Sequence, residues 1–256
     1  DIHPTVIVGG YKLAAEESHK ILGQMATQVS KDDTKMLRQI AITSMSSKGS
    51  EMHGDKLAEL CVKAVQQIVE ESNGKLEADI DNIKVEKKIG GSSVDSQLIQ
   101  GLVLDKEVVH PGMPKRVENA KLALLNLNIE VKKTETDAKI NVTDPEQLKS
   151  FLDEEQHMLK EMVDQINKVG ANVLFCQKGI DDAAQHYLAK SGVLACRRVK
   201  ESDMEALARA TGGSVVTNIK DLSSKDLGTA KLVEERKIAG DALVFVEGCK
   251  DPKSVS

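Results

Sequence analysis

Metal and redox chemistry in proteins depends on histidine and cysteine side chains placed close together, and this chain carries few of either. The histidines are His3, His19, His53, His110, His157 and His186, and the cysteines are Cys61, Cys176, Cys196 and Cys249. No two histidines have an HxH or HxxxH spacing and no two cysteines form a CxxC pair, so the sequence predicts no metal site. The cysteines are predicted to be buried free thiols of a reducing compartment.

Two common signatures of nucleophilic and phosphate chemistry are also missing from the sequence. There is no G-x-S-x-G elbow, although a Ser–His–Asp triad can occur in any chain order and is left open by sequence order alone. The glycine pairs Gly9-Gly10, Gly90-Gly91 and Gly212-Gly213 lack the neighbours of a P-loop or a dinucleotide-binding turn. The residues therefore indicate no catalytic centre.

One loop has residues suited to contact with a phosphate. In residues 46–50, SSKGS, Lys48 lies among small residues whose backbone N–H groups suit an anion. Such loops are common, and the competing interpretation is a solvated turn.

Composition excludes several classes of protein. The net charge of −5 argues against a broad nucleic-acid surface, and aromatic residues at 2% with no tryptophan offer few stacking platforms for bases. No apolar run reaches the length of a membrane helix and nothing resembles a signal peptide, so we expect a soluble, cytoplasmic chain that binds neither nucleic acid nor membrane.

The elements that would position these residues follow from apolar spacing and turn residues. Predicted helices cover residues 1–30, 31–45, 54–71, 145–170 and 181–190, and a last helix begins at a Ser202–Glu205 capping box and ends at Gly212. Predicted strands cover residues 82–89, 102–104, 121–131, 171–176, 193–199, 215–216, 231–238 and 243–246.

Two of these helices have faces that suggest binding roles. The helix over residues 181–190 places Asp182, Gln185, His186 and Ala189 opposite a side with Ala184, Tyr187, Leu188 and Ser191. The N-terminal half of the helix over 145–170 carries a separate cluster of Leu148, Phe151 and Leu152. Such an isolated cluster favours a helix that projects past its own domain, and the competing interpretation is a mobile tip.

The segment over residues 177–213, QKGIDDAAQHYLAKSGVLACRRVKESDMEALARATGG, closely resembles the apical domain of group II chaperonins, nearest to the archaeal thermosome. Four further segments match collinearly: IHPTVIVGGYKLAAE, GLVLDKEVVHPGMPKRVENAKLALLN, DLGTAKLVEERKIAG and VEGCKDPKSVS. Together the matches cover essentially the whole chain, which is more specific than any short motif.

The resemblance implies an α/β (α+β) fold with several parts. Residues 1–30 would be a helix stub of the equatorial domain, and residues 31–100 with 241–256 a small, discontinuous α/β intermediate domain. Residues 101–240 would be the apical domain, with a β-sandwich-like core, flanking helices and a helical protrusion, the lid, over about 132–168. Both ends of the chain are then expected to be cut from a longer protein.

The resemblance also implies roles for particular residues. Lys48 and Gly49 match the nucleotide-sensing loop, and Gly101 and Gly240 would be hinges between domains. The client-binding residues would be Val109, Met113, Asp182, Gln185, His186 and Ala189, and the lid residues Leu148, Phe151 and Leu152.

The function implied is that of a molecular chaperone which binds non-native client proteins beside other chaperonin subunits of a double ring. In such chaperonins the phosphate loop and the catalytic aspartate would lie outside this sequence, so we expect no ATP hydrolysis by this chain and no cofactor in it. ATP and Mg²⁺ belong to the longer parent protein. Two other hypotheses remain: an oligomerising scaffold built on the apolar stripe of residues 1–30, and an enzyme that uses Lys48 to bind phosphate.

Overall fold

A computed structural model of the chain describes residues 2–46, 48, 54–89, 91–92, 95–131, 145–249 and 253–256, with side chains in the 145–168 helix described from residue 149 onward. Three helices come first: α1 spans Pro4–Met25, α2 spans Thr34–Met45 and α3 spans Gly54–Ile68. The Asp33 carboxylate caps α2 by accepting a hydrogen bond from the Met36 backbone N–H at 3.0 Å. The predicted helix over residues 1–30 is therefore confirmed in its core but ends at Met25.

A small domain forms around α3, which we call the helical domain. Its buried face packs against α2 and against residues from later in the chain. Ala64 and Ile68 of α3 contact Ile83, Leu98 and Val255 in one apolar cluster. A hairpin of β1, Glu70–Ser72, and β2, Lys75–Glu77, completes this domain, with Asn73-Gly74 at its turn in positive φ.

The predicted strand over residues 82–89 is wrong. Residues Ile80–Asn82 form a single 3-10 turn, and of the residues after it only Ile83 makes an isolated bridge, to Val255. Val85 and Ile89, which suggested a buried face, are exposed. Alternation of apolar residues predicts a strand only when one side is buried, and here Lys84 and Lys88 make the contacts instead.

Among the described residues from Gly101 to Gly248, one seven-stranded mixed sheet forms the centre of what we call the sheet domain. Its strands are β3 Gly101–Leu104, β4 Arg116–Leu125, β5 Val173–Cys176, β6 Leu194–Cys196, β7 Val215–Val216, β8 Gly228–Ile238 and β9 Asp241–Glu247. The strand order is β3-β9-β8-β4-β5-β6, and β7 also pairs with β4. Pairs among β3, β9, β8 and β4 are antiparallel, whereas β5, β6 and β7 join in parallel. The mixed α/β class is confirmed.

Three helices cover the two faces of the sheet: α4 Pro145–Lys168, α5 Asp182–Lys190 and α6 Glu201–Thr211. One core joins Leu122, Leu124, Val244 and Val246 to Met204 and Leu207 of α6. The other joins Ala123, Leu125, Leu174 and Cys176 to Leu159, Val163 and Ile166 of α4 and to Leu188 of α5. Neighbouring residues of β4 alternate between these cores, so this one strand supports both helix layers.

The capping of α5 and α6 agrees with the sequence in part. The Asp181 carboxylate accepts from the Ala183 backbone N–H at 2.8 Å, and Gly212 ends α6 in the left-handed conformation at φ 72°. The predicted Ser202–Glu205 capping box is wrong, because α6 begins at Glu201 and its N-cap is Lys200, two residues before Ser202. Lys200 precedes it in an extended conformation and makes no side-chain cap bond.

The predicted return crossing at Gly240 is also wrong. Ala239 and Gly240, at φ 53° and 95°, form the two-residue turn that joins β8 to β9, and Ile238 pairs with Asp241 across it. The sheet therefore continues to Glu247, which pairs with Gly101 of β3. The two chain crossings between the domains lie side by side, since the Gly248 N–H donates to the Gln100 carbonyl at 3.1 Å.

Both outer strands of the sheet are hydrogen-bonded on their free side. The Val109 N–H donates to the Ala195 carbonyl of β6 at 3.0 Å. At the opposite edge, the Val103 N–H of β3 donates to Ser256 Oγ at 3.0 Å. Within the described part of the chain, no helix combines the length and the hydropathy that crossing a membrane needs.

Candidate functional site

Helix α5 is fixed to the sheet domain by a buried glutamine at its N-terminus. Gln185 Nε2 donates to the Ile180 carbonyl at 2.8 Å and to Asp182 Oδ1 at 3.0 Å. The residue is 4% exposed, so its predicted role as a client contact is wrong. These bonds hold the N-terminal end of α5, and the outer face of the helix carries Asp182 and His186 in exposed positions.

The loop between β3 and β4 is held by one carboxylate. Glu235 of β8 is 5% exposed at its side chain and accepts from the Val108 N–H at 2.8 Å and from Lys115 Nζ at 2.6 Å. The Glu235 N–H also donates to the Lys115 carbonyl at 2.8 Å. Burial alone would raise the pKa of Glu235, but the bonds from Lys115 and Val108 and the charges of Lys115 and Lys237 together lower it. The carboxylate is therefore ionised and binds both ends of the loop.

The tip of this loop folds inward. The Gly112 N–H donates to His110 Nδ1 at 3.0 Å, and the Met113 N–H donates to the His110 carbonyl at 3.0 Å. Met113 is only 4% exposed and packs in the core beneath α4 and α5. Its predicted role as an exposed client contact is wrong, because an apolar side chain in a tight turn is more stable inside the core.

The loop and α5 meet at the surface. The rings of His110 and His186 lie 6.0 Å apart between centroids at 66°, and those of His186 and Tyr187 lie 6.2 Å apart. A Cβ built on Gly112 would lie 3.8 Å from Ala189 Cβ, so the two elements are in close contact. We define the α5–loop surface as Val109, His110, Asp182, His186, Tyr187 and Ala189.

Four of the six predicted client contacts lie on this surface: Val109, Asp182, His186 and Ala189. Sequence reasoning missed His110 and Tyr187 as members. Helical spacing placed Tyr187 on the opposite side, and no pattern links His110 to a helix so far along the chain. The turn residues Pro111, Gly112 and Pro114, which follow His110 and mark a loop, are the one signal that the sequence offers for it.

Helix α4 is anchored at one end and exposed at the other. Leu159, Val163 and Ile166 are buried, and Asn167 Nδ2 donates to Ser191 Oγ at 2.9 Å. Phe151 and Leu152, in contrast, are 51% and 50% exposed. The side chain of Leu148 and residues 132–144 lie outside the described residues.

The TCP-1/cpn60 chaperonin family matches residues 1–256 of the chain. The chain belongs to this family. It is 62% identical over 256 residues to a thermosome subunit of Methanopyrus kandleri and 60% identical over 256 residues to thermosome subunit beta of Archaeoglobus fulgidus. Each match covers 100% of this chain and 47% of the relative, so the chain spans about half the length of these chaperonins.

A solved chaperonin has the same fold. The open-state monomer of a group II chaperonin from Methanococcoides burtonii superposes with a TM-score of 0.72 at 42% identity, covering 99% of this chain and 57% of that one. The α5–loop surface is thus part of a chaperonin chain.

The predicted nucleotide-sensing residues and the cysteines lie outside the α5–loop surface. Lys48 is exposed in the turn after α2, where its N–H donates to the Met45 carbonyl at 3.2 Å, and Gly49 lies outside the described residues. Among the residues that the structure covers, no three or more His, Cys, Asp or Glu side chains are grouped as metal ligands. Of the four thiols, Cys176, Cys196 and Cys249 are buried as predicted, but Cys61 is exposed on α3 because it lies beside the buried stripe.

Proposed function

We propose that this chain is the client-binding part of a chaperonin and that non-native proteins bind to its α5–loop surface. One observation carries the proposal: half-buried Val109 and Ala189 lie beside the exposed imidazole of His186 on two elements that are both fixed to the sheet. Membership of the chaperonin family supports it.

The surface suits unfolded chains because it is shallow and mixed in polarity. Apolar patches between imidazole rings and a carboxylate offer weak contacts to many sequences, and promiscuous binders need such contacts more than one deep pocket. A single copy should therefore bind weakly, and several copies in a ring would bind far more tightly through avidity.

Helix α4 supports a second part of the proposal. Its C-terminal half is packed in the core, so its N-terminal half with Phe151 and Leu152 would extend from the sheet domain as a lid over bound clients. Partner chaperonin subunits would cover these exposed apolar side chains.

Nucleotide enters this proposal through the longer protein only. ATP and Mg²⁺ serve the parent family, but phosphoryl transfer needs a phosphate cradle and metal ligands, and Lys48 alone supplies neither. We propose that this chain does not hydrolyse ATP and that Lys48 senses nucleotide held elsewhere. In the assembly, the sheet domain would turn about the paired crossings at Gly101 and Gly248.

The test is suppression of aggregation of a chemically denatured protein by the purified chain, with and without ATP and Mg²⁺. Suppression is expected without ATP, and His110→Ala with Asp182→Ala and His186→Ala should reduce it several-fold. His19→Ala is the matched control, since His19 is exposed on α1, away from the surface. If the triple variant suppresses aggregation as well as the original chain, the assignment of the surface is wrong. If ATP strengthens the suppression of aggregation, the chain has a working nucleotide site, contrary to the proposal.

A scaffold role remains as a second candidate because of α1. This helix has no buried residue, and Tyr11, Leu13, Leu22 and Met25 are among its exposed apolar side chains. Such a stripe favours self-association. Light scattering against concentration separates the two functions: a scaffold grows in mass with concentration and fails to suppress aggregation.

A further inference from the structure

We propose that residues 82–88, which we call the strap, form a latch that holds the sheet domain against the helical domain and opens when the sheet domain turns. The inference rests on the proposed rotation about Gly101 and Gly248 and goes beyond it by naming the contacts that resist the rotation.

The backbone and one side chain of the strap belong to the helical domain. The Lys84 N–H donates to the Val255 carbonyl at 2.8 Å, and the Val255 N–H donates to the Asn82 carbonyl at 2.9 Å. Ile83 packs with Ala64 and Ile68 of α3. The strap should therefore move with the helical domain.

The polar side chains of the strap reach the other way, into the sheet domain. Lys84 Nζ lies 2.8 Å from Asp203 Oδ1 in the first turn of α6, and Asn82 Oδ1 accepts from Arg209 at 2.7 Å near the end of the same helix. The strap thus contacts both ends of α6.

A third contact lies at the far end of the strap. Lys88 Nζ lies 3.2 Å from Asp105, just after β3, and 3.0 Å from Asp241, at the start of β9. The hydrogen bonds that Lys88 donates to Asp241 and then to Asp105 raise the pKa of Lys88, so it stays charged. Both aspartates are largely exposed, so this pair should contribute less than the one at Asp203.

The position of these contacts makes them a latch. The two crossings beside Gly101 and Gly248 lie next to each other and give rotation a narrow axis, whereas the strap contacts lie away from it on α6 and at the start of β9. A turn of the sheet domain moves these contacts apart even when the crossings keep their own hydrogen bond.

Opening of the latch does not leave a buried charge without a partner. Lys84 also lies 3.0 Å from Glu86 within the strap, so it keeps one carboxylate partner after it leaves Asp203. Asp203 lies in the first turn of α6, where the helix dipole favours a negative charge. The ion pair can therefore break and re-form, and high salt should weaken it.

The experiment measures the distance between the two domains in the complete chain. Spin labels are placed on the exposed Cys61 of α3 and on an exposed loop of the sheet domain through Ser224→Cys. Distance distributions are recorded by pulsed electron paramagnetic resonance for the labelled chain and for Lys84→Ala, Asp203→Asn and the exchange Lys84→Asp with Asp203→Lys. Lys87→Ala is the matched control, since Lys87 is an exposed strap lysine with no ion pair among the described residues.

The single variants should shift the ratio of rotated to latched distances by about five-fold or more, since the Lys84–Asp203 ion pair is largely buried. The exchange should restore only part of the original distribution, because it places a lysine in the first turn of α6 and an aspartate beside Glu86. Lys87→Ala should leave the distribution unchanged, and 1 M salt should mimic the single variants. Superimposable distributions in all variants at low salt would overturn the latch.

The aggregation assay separates this result from the proposed function. No strap residue lies on the α5–loop surface, so a failed latch with normal suppression of aggregation refutes only the latch. If the variants shift the distances but the chain does not suppress aggregation, client binding is refuted and the latch is supported.

Discussion

The Glu235 carboxylate of β8 accepts a hydrogen bond from the backbone N–H of Val108 at 2.8 Å, and through it the antiparallel half of the sheet holds the loop that carries His110. The same carboxylate binds Lys115 at the other end of the loop. The position of the candidate surface thus depends on one nearly buried acidic group.

We predict that Glu235→Gln destabilises the folded chain by about 2 kcal/mol near neutral pH, because a hydrogen-bonded, ion-paired carboxylate is replaced by an amide. The pKa of Glu235 is lowered in the fold from its ordinary 4.5. Its stabilisation is therefore complete above that value and is lost as the pH falls through the lowered folded pKa. Urea unfolding from pH 7 to 3 should show the two chains converging at acidic pH. Glu205→Gln, on the exposed face of α6, is the control, and a constant difference at all pH values would refute the prediction.

Gly101→Ala should cost at least about 3 kcal/mol of folding free energy. Gly101 has φ 141°, and a Cβ there would lie 2.0 Å from the Val246 carbonyl oxygen. Gly170→Ala is the comparison: φ is 83° but the space is open, so only backbone strain of about 1 kcal/mol is expected. Equal midpoints for the two variants in denaturant unfolding would contradict the steric argument.

Arg236→Lys should destabilise the sheet domain by about 1 kcal/mol after allowance for its partial exposure. The guanidinium binds both oxygens of Glu247 at 2.8 Å and lies 4.6 Å from the centroid of the Phe245 ring. Lysine cannot reproduce this fork or stack as well on the ring. Arg116→Lys, at an exposed ion pair, should leave the thermal midpoint unchanged. A fall in thermal midpoint for Arg116→Lys but not for Arg236→Lys would mean that the exposed ion pair contributes more stability than the bidentate one.

A thiol reagent should modify Cys61 first and leave the other cysteines unreacted until the chain unfolds. Burial raises the pKa of both Cys176 and Cys249 to about 11. At pH 8 about one in a thousand of such thiols is ionised, and burial also blocks access. Burial raises the pKa of Cys196 as well. Mass spectrometry of tryptic peptides should find one labelled site in the native chain. Early modification of Cys176 or Cys249 would show that the sheet core opens readily.

The sequence predicted the elements whose pattern is local. The end of α6 at Gly212 needs only neighbouring residues, and the structure confirms it. The helix predicted over residues 54–71 is confirmed as α3, although it ends at Ile68. The β4 strand illustrates the limit: it begins at Arg116, ahead of the apolar run, because the backbone of Arg116 pairs with Glu234 of β8. A charged start of a strand is stable only through a partner that lies far along the chain.

The site was harder to predict because burial depends on tertiary contacts. Met113 and Gln185 have types and positions that suit a surface, yet each fills a space that only the folded sheet domain creates. Gly240 was misread for a similar reason: a glycine between two apolar runs fits a hinge or a hairpin, and the pairing of β8 with β9 decides between them.

The hydrogen bonds that Val109 and Ser256 make to the outer strands β6 and β3 have a consequence for the handling of unfolded chains. A protein with an open sheet edge can pair its main chain with the strands of an unfolded protein. It would then become a template for aggregates. The bonds at Ala195 and Val103 occupy part of these two edges, which favours attachment through side chains. Under the proposed function, such attachment would break contact by contact, so a captured chain would remain releasable.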